Sequence, residues 1–272
     1  MDTPEITPDE APLPKPPEPL RPRRSFARRH PVLLSAFALA GLGAAYFGYL
    51  ILALPDVSHL RRARPIPTSL MRQRESEARA AGRRPTPPRQ SWVPLRSISP
   101  VLIQAVLTGE DANFFGHEGF DLREIRESVE KNLERGRFVR GASTITQQLA
   151  KNLFLSTEKT LTRKLKEVIL THRLERDLSK SRILELYLNV IEWGEDVYGV
   201  EAAAQTYFGK SSSDLDVGEA TLLAALIPNP RRLNDENRNK SLKVRQERIL
   251  NWMLRTGKIT EEVYRQAKER TL

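Results

Sequence analysis

The sequence predicts a mainly α-helical domain preceded by a single membrane-spanning helix near the N-terminus. An apolar run from Val32 to Leu54 contains no charged residue. From Trp92 onward, apolar residues recur at helical spacing and strand-like alternation is rare. With 272 residues, of which 39% are hydrophobic, the chain is long enough for one well-buried domain with appendages.

The amino-acid composition excludes several kinds of functional site and limits the classes of partner. The chain has no cysteine, which excludes a disulfide framework, a thiolate nucleophile and a cysteine metal site, and which fits an oxidising compartment. Its formal net charge of +10 is compatible with nucleic acid, an anionic lipid surface or an anionic substrate. The basic residues are scattered or lie next to the apolar run, without a recognised nucleic-acid-binding module, so the last two partners are favoured.

The first part of the chain divides into three segments. Residues 1–31 are rich in proline and arginine without apolar periodicity, and we expect a disordered tail. Residues 32–54 are long enough, at 1.5 Å per residue, to span a hydrocarbon core of about 30 Å. A cleaved signal peptide is the alternative, because residues 38–40 resemble a cleavage site, but the apolar run continues past them.

Residues 55–91 are arginine-rich and interrupted by prolines, and they predict a juxtamembrane basic linker before a domain at 92–272. Its arginines would favour anionic headgroups. A solvated linker without a defined position is the alternative. Arginines flank both ends of the apolar run, so charge bias alone does not orient the predicted membrane helix.

The stretch from Glu110 to Asp121, EDANFFGHEGFD, is the clearest candidate site. The preceding apolar pattern places Glu110 and Asp111 at a helix end, and the two glycines would turn the chain. Beside Phe114 and Phe115 a carboxylate could be partly desolvated, which raises its pKa toward the range useful to a general base. The alternative is a helix terminus followed by a hydrophobic anchor.

Further helices follow from capping residues and apolar spacing. Asp121 is expected to cap a helix that Gly136 ends, and Ser143 to cap a helix through Phe154. A third helix is predicted over Thr160 to Leu178, and two closing helices over Lys240 to Leu272.

Two of these helices carry polar patterns. On the helix through Phe154, Thr144, Gln148 and Lys151 share one face, for which plain solvent exposure is the alternative. On the next helix Arg163 and Glu167 are one turn apart, as in many surface ion pairs.

Five segments in order resemble the signatures of the family 51 glycosyltransferases, enzymes that polymerise lipid II into the glycan strands of peptidoglycan. They are EDANFFGHEGFD from Glu110, GASTITQQLAKN from Gly141, RKLKE from Arg163, ILELYLN from Ile183 with the residues that follow it, and EATLLAALIPNP from Glu219. Together with their surroundings they cover about two thirds of the chain. The resemblance implies a lysozyme-like fold and a monofunctional, membrane-anchored enzyme.

The resemblance also implies roles for individual residues. It makes Glu110 the catalytic base, with Asp111 as a helper. Glu167 is the second catalytic glutamate, expected to orient the cations or the acceptor rather than to act as a nucleophile. His117 matches the family histidine and is interpreted as holding the loop so that Asp111 or Glu110 is positioned. The residues expected to contact the donor's pyrophosphate and sugars are Thr144, Gln148, Lys151, Arg163 and Lys164.

The implied reaction is the attack of an acceptor 4-hydroxyl on the anomeric carbon of a chain held by polyprenyl pyrophosphate, with inversion. No cofactor is expected to be required, although a divalent cation, Mg²⁺ or Mn²⁺, could assist the pyrophosphate. The sequence contains no clear ligand cluster for it.

The resemblance further implies an inner-membrane protein with a cytoplasmic N-terminus and a periplasmic catalytic domain. The expected partners are lipid II, the growing strand, membrane lipids and proteins of division or elongation, and no nucleic acid. A murein-cleaving lysozyme-like enzyme is one alternative function, although it would need neither the cation cluster nor the membrane span. An inactive membrane scaffold for cell-wall assembly is the other.

Overall fold

The computed structural model describes residues 31–137, 141, 143–231 and 236–269. The tail predicted at residues 1–31 therefore lies, apart from Pro31, outside the described residues. The chain forms two compact units that divide after Leu50, and the second contains the remainder of the chain from Ile51.

The first unit contains most of helix α1, Pro31–Ala53. Within α1, the 19 residues Ser35–Ala53 have a mean hydropathy of 1.8, and the helix is long and apolar enough to cross a membrane. The apolar run predicted at 32–54 is therefore helical, and its length and composition suit a membrane anchor.

The second unit is mainly helical, as the sequence predicted. The lysozyme-like fold that the family resemblance implies stays a prediction. The helices of the second unit are α2 Ser69–Ala80, α3 Pro100–Glu110, α4 Leu122–Glu134, α5 Ile145–Phe154, α6 Leu161–Asp177, α7 Lys180–Val190, α8 Val200–Phe208, α9 Val217–Leu226, α10 Glu236–Arg255 and α11 Glu261–Glu269. Short 3₁₀ turns lie at Ser58–Arg61, Leu95–Ser97 and Phe114–Gly116.

One small sheet interrupts this helical pattern. Its strands are β1 Arg89–Gln90, β2 Glu192–Gly194 and β3 Val197–Tyr198, in the order β1-β3-β2. β3 pairs parallel to β1 and antiparallel to β2. Strands of two or three residues are too short to give an alternating pattern, which explains why the sequence did not reveal them.

The prediction of a linker at 55–91 is wrong, because most of this segment is folded against the domain. Val57 and Leu60 have no exposed surface and belong to the main hydrophobic core. Helix α2 packs against α5. Arg74 on α2 pairs with the buried carboxylate of Glu192 on β2, with Nη2 2.9 Å from Oε2.

Arginine side chains also fix the residues that follow α1. Arg173 on α6 donates to the carbonyl oxygens of Leu54 and Pro55 at 2.8 and 2.9 Å. Arg182 on α7 donates to the carbonyls of Leu60 and Ala63 at 2.9 and 2.7 Å. The arginine content of this region therefore serves backbone hydrogen bonding, which its composition alone did not indicate.

Two groups of helices position the candidate site. Helices α3, α9 and α10 pack on one another, and α5 packs on α6 and α7. α3 ends at Glu110, and the capping residue Asp111 accepts a hydrogen bond from the first residue of α5. The end of α3 therefore lies beside both α5 and α10, which are far apart in sequence.

Candidate active site

Glu110 is the last residue of α3, and both of its carboxylate oxygens accept hydrogen bonds. Gln148 Nε2 on α5 lies 2.7 Å from Oε2, and Arg245 Nη2 on α10 lies 2.7 Å from Oε1. The side chain is only 8% exposed. Burial raises the pKa of the Glu110 carboxyl, while the hydrogen bond from Gln148 and the charge of Arg245 oppose that rise. The result is a desolvated carboxylate in a fixed orientation.

Tyr187 on α7 fixes the amide that contacts Glu110. Its hydroxyl donates to Gln148 Oε1 at 2.9 Å, so the Gln148 amide nitrogen faces the carboxylate. Burial raises the pKa of the fully buried Tyr187 well above its usual value, so the phenol keeps its proton and remains a donor.

Asp111 and His117 hold the loop after α3. Asp111 Oδ2 accepts from the backbone nitrogen of Ile145 at 3.0 Å, and His117 Nε2 lies 2.9 Å from Asp111 Oδ1. The Gly119 nitrogen donates to His117 Nδ1 at 3.1 Å, so Nδ1 is an acceptor and Nε2 carries the proton directed at Asp111. These contacts connect His117 to Asp111 and to Gly119; that His117 positions a catalytic carboxylate stays a prediction.

Thr144 is the N-cap of α5, which corrects the expectation that Ser143 has this role. The Thr144 hydroxyl accepts from the nitrogen of Gln147, whose side chain accepts from the nitrogen of Thr144 in return. The same hydroxyl donates to the Gly119 carbonyl at 2.7 Å. Thr144 lines the cleft described below, but its side chain is buried and committed to backbone contacts.

The basic residues predicted to contact the pyrophosphate lie around Glu167 on α6. Arg163 Nη1 lies 2.5 Å from Glu167 Oε2, and Lys164 Nζ pairs with Oε1 of the same carboxylate. The Glu167 side chain is 5% exposed, so this is not the solvated surface pair that its spacing alone allows. The buried carboxylate instead holds two cations together.

Lys151 on α5 joins this cluster. Burial lowers the pKa of the Lys151 ammonium, the charge of Glu167 raises it, and the charge of Arg163 lowers it. The charge of Glu110 also acts on Lys151, which lies one turn beyond Gln148 on the same helix. Helix α5 therefore connects the carboxylate of Glu110 with the cation cluster.

A cleft of about 840 Å³ opens beside Glu110. The predicted site residues that line it are Glu110, Asp111, Thr144 and Gln148, and α10 contributes Arg245. Lys151, Arg163 and Lys164 are not among its lining residues. The structure thus separates the predicted residues into a cleft group around Glu110 and a cation cluster around Glu167.

The cation cluster does not fit a divalent metal ion. Glu167 is its carboxylate, and both of its oxygens are bound by cationic side chains. In the part of the chain that the structure describes, no group of three histidine, cysteine, aspartate or glutamate residues is arranged to hold a metal. The chemistry of these donors favours an anion over Mg²⁺ or Mn²⁺.

Arg245 is the site residue that sequence reasoning missed. Besides Glu110, it donates to the carbonyl of Gly109 at 3.1 Å. It lies outside the five recognised segments, 135 positions beyond Glu110. A faint signal exists, because Arg245 precedes a stripe of buried residues on α10 that includes Ile249 and Met253.

Comparison with known proteins gives a consistent result. The family model described as Transglycosylase matches residues 77–254. The chain is similar to proteins from several bacteria that are named biosynthetic peptidoglycan transglycosylase. The protein from Chromobacterium violaceum is 47% identical over 213 residues, which are 78% of this chain and 92% of that protein.

Two further similarities complete the comparison. The Nitrosospira multiformis protein of the same name is 55% identical over 56% of this chain, and the match spans 65% of its own length. A crystal structure of penicillin-binding protein 1A from Haemophilus influenzae is 25% identical, with 68% of this chain and 18% of that chain covered, at a TM-score of 0.38.

Proposed function

The chain belongs to the transglycosylase family and is a peptidoglycan glycosyltransferase, and on that premise we propose which of its residues carry the polymerisation of lipid II. One observation carries the assignment. Glu110 is a buried carboxylate at the edge of a cleft, and helix α5 connects it with a cluster of three cations around Glu167. A base and an anion-binding group on either side of one bond are what glycosyl transfer from a pyrophosphate requires.

Glu110 is the proposed general base. The acceptor 4-hydroxyl attacks the anomeric carbon and forms the new glycosidic bond, while its proton passes to the Glu110 carboxylate. The bond from the anomeric carbon to the pyrophosphate breaks, and the pyrophosphate leaves with the electron pair. One displacement of this kind inverts the anomeric carbon. A raised pKa makes Glu110 a better proton acceptor than an exposed carboxylate.

Lys151, Arg163 and Lys164 are the proposed partners of the departing pyrophosphate. Their positive charges stabilise the charge that develops on the leaving group, and the planar guanidinium of Arg163 can contact two phosphate oxygens at once. Glu167 holds Arg163 and Lys164 at fixed positions through its two oxygens. Its proposed role is therefore to orient these cations.

The remaining predicted residues support these two groups. Gln148 contacts Glu110 directly and is proposed to keep the carboxylate aimed into the cleft. Asp111 and His117 tie the loop after α3 to the start of α5, and Thr144 caps α5. Contact of Thr144 or Gln148 with the donor sugar is compatible with their place in the cleft wall.

The setting proposed for this reaction is a membrane surface. Helix α1 would anchor the enzyme in the inner membrane, with the N-terminus in the cytoplasm and the catalytic domain in the periplasm, where lipid II is polymerised. The growing strand is then a substrate of the domain, and the membrane lipids are its neighbours. Proteins of division or elongation are further proposed partners.

The test is polymerisation of labelled lipid II by the detergent-solubilised full chain, with products separated by length. We expect long strands from the parent protein and none from Glu110→Gln. Glu158→Gln, which changes an exposed glutamate in the same way, is the matched control and should polymerise normally. Cleavage of preformed glycan without polymerisation would instead indicate a murein hydrolase, and neither activity would indicate a scaffold.

A further inference from the structure

A second groove, of about 300 Å³, lies on one face of α10. It is lined by Val244, Glu247, Arg248, Asn251, Trp252 and Arg255, which recur at helical spacing on that face. Arg248 and Trp252 also line the cleft that contains Glu110. The groove therefore adjoins the cleft at these two side chains.

The groove combines two exposed arginines, which outnumber its one acidic residue, Glu247, with an exposed aromatic ring. Trp252 is 50% exposed. Within the described parts of the chain, neither Arg248 nor Arg255 forms an ion pair, in contrast to Arg245, which is bound to Glu110. Unpaired guanidinium groups bind carboxylates through charge-assisted hydrogen bonds, and an exposed indole provides apolar contact area. An acidic peptide has both complementary features.

We propose that the face formed by Arg248, Trp252 and Arg255 binds the carboxylate-bearing peptide of the acceptor substrate. The inference rests on the proposed function, which places the acceptor hydroxyl at Glu110. In lipid II the peptide branches from the sugar next to the reacting one, so an acceptor in the cleft carries its peptide close to the reacting hydroxyl. The adjoining groove continues the cleft along α10, and its two arginines against one glutamate give it a net positive charge.

The position of the cation cluster supports the assignment to the acceptor. Lys151, Arg163 and Lys164, proposed to bind the pyrophosphate of the donor, do not line the cleft shared with the groove. Arg248 and Arg255 lie on α10, whereas those three cations lie on α5 and α6. The two sets of cations therefore contact different parts of the bound substrates.

Arg255→Gln is the sharpest test, because Arg255 lines the groove and not the cleft. The full chain is assayed with lipid II and with a lipid II analogue that lacks the peptide. We expect kcat/KM to fall about threefold to tenfold with lipid II, the scale of one partly exposed charge-assisted contact, and to stay unchanged with the analogue. Arg248→Gln with Arg255→Gln should enlarge the difference between the two substrates.

Arg96→Gln is the matched control, because Arg96 is exposed and lies outside both the cleft and the groove. An equal loss with both substrates would assign the groove to a phosphate or a lipid headgroup, and no loss would make it a solvated surface; either overturns the proposal. If the parent protein polymerises neither substrate, the proposed function fails. If the parent polymerises lipid II and Arg255→Gln is unaffected, only the peptide site fails. Thermal melting of each variant confirms that it is folded.

Discussion

Arg245 and Glu110 form an ion pair across 135 residues of sequence, with 2.7 Å between Arg245 Nη2 and Glu110 Oε1. The pair joins the end of α3 to the middle of α10 beside the cleft. The arginine is about one third exposed and the carboxylate is almost completely buried, so the pair fixes the orientation of Glu110. Arg245 is thus placed to control the protonation of the proposed base.

Arg245→Gln should shift the acid limb of the kcat/KM profile to higher pH. Burial raises the pKa of the Glu110 carboxyl, and the positive charges of Arg245 and Lys151 lower it. Without the guanidinium, Glu110 remains protonated to a higher pH and is inactive as a base there. Arg245→Lys keeps a positive charge and should move the limb back toward the parent position. An acid limb unchanged in Arg245→Gln would show that the arginine does not act through Glu110.

Glu110→Gln should severely reduce polymerisation and yet stabilise the fold at neutral pH. The expected loss in kcat is about 10²- to 10⁴-fold, the usual contribution of a general base. Because burial raises the pKa of Glu110 above its ordinary value of 4.5, the folded protein binds this proton more tightly than the unfolded chain does. The stability that this carboxyl contributes to folding therefore falls as the pH rises from 4.5 through the raised pKa of the folded state.

The measurement is thermal melting of parent and Glu110→Gln from pH 4 to pH 8. The variant should melt higher than the parent at pH 7, and the difference should close as the pH drops below about 4.5, the ordinary carboxyl value. Glu158→Gln removes an exposed carboxylate and should match the parent throughout. A parent that melts higher than Glu110→Gln at pH 7 would mean that the Arg245 pair outweighs the cost of burial.

Lys151→Met should reduce kcat by about 10²- to 10³-fold, the scale of losing one preorganised group that stabilises developing charge. Burial lowers the pKa of the Lys151 ammonium, and the charge of Glu167 counteracts this, so the lysine is a desolvated cation within the cluster. Lys159→Met, at an exposed position, is the control. Single-turnover assays with lipid II would separate the chemical step from binding. An increase in KM with an unchanged kcat would assign Lys151 to substrate binding alone.

Local sequence patterns predicted the parts of the site that depend on neighbouring residues. Asp121 caps α4 by accepting from the nitrogen of Glu124, and Gly136 follows the helix end with a φ of 58°. The end of α3 at Glu110 was predicted from the apolar spacing before it. In each case the determining contacts lie within four residues, so the sequence contains the information.

The misplaced cap of α5 shows how small the margin between neighbours can be. Both Ser143 and Thr144 have a hydroxyl suited to capping. Three residues after Thr144 stands Gln147, whose amide reaches back to the Thr144 nitrogen, whereas Thr146 stands three residues after Ser143. Only the first pairing completes a reciprocal capping box, and this selects Thr144.

Contacts between distant segments could not be predicted from local pattern. Arg245 meets Glu110 only because α3 and α10 pack together. The arginine and proline content of residues 55–91 is typical of a linker, yet Arg74 neutralises a buried carboxylate on β2. Composition reports how polar a segment is and contains no information on which partners tertiary packing provides for it.

Glu167→Leu should lower the free energy of unfolding by about 3 kcal/mol, the lower end of the usual cost of breaking a buried ion pair, because Lys164 is partly exposed. The Glu167 side chain is 5% exposed and holds both Arg163 and Lys164. The chain offers a matched comparison, because Arg126 and Glu130 form an ion pair of the same spacing on α4. Both side chains of that pair are more than half exposed.

Glu130→Leu should therefore cost only about 0.5 kcal/mol, in line with exposed helical pairs. Urea unfolding of the two variants at the same pH gives both values. Equal costs for the two substitutions would show that the burial of Glu167 does not control its contribution to stability, and that its neighbours can be solvated when the carboxylate is removed.

Leu60→Ala tests whether the segment after α1 is part of the folded domain. The Leu60 side chain has no exposed surface and packs in the main core, so its truncation should cost about 2–4 kcal/mol through lost burial and the cavity left behind. The carbonyl that accepts from Arg182 is retained in this variant, so the loss reports side-chain packing. Ile66→Ala, at a position 40% exposed, is the control and should cost less than about 1 kcal/mol. A Leu60→Ala variant as stable as the parent in urea would return residues 55–91 to the linker that their composition predicts, because a residue in a linker has no packing to lose.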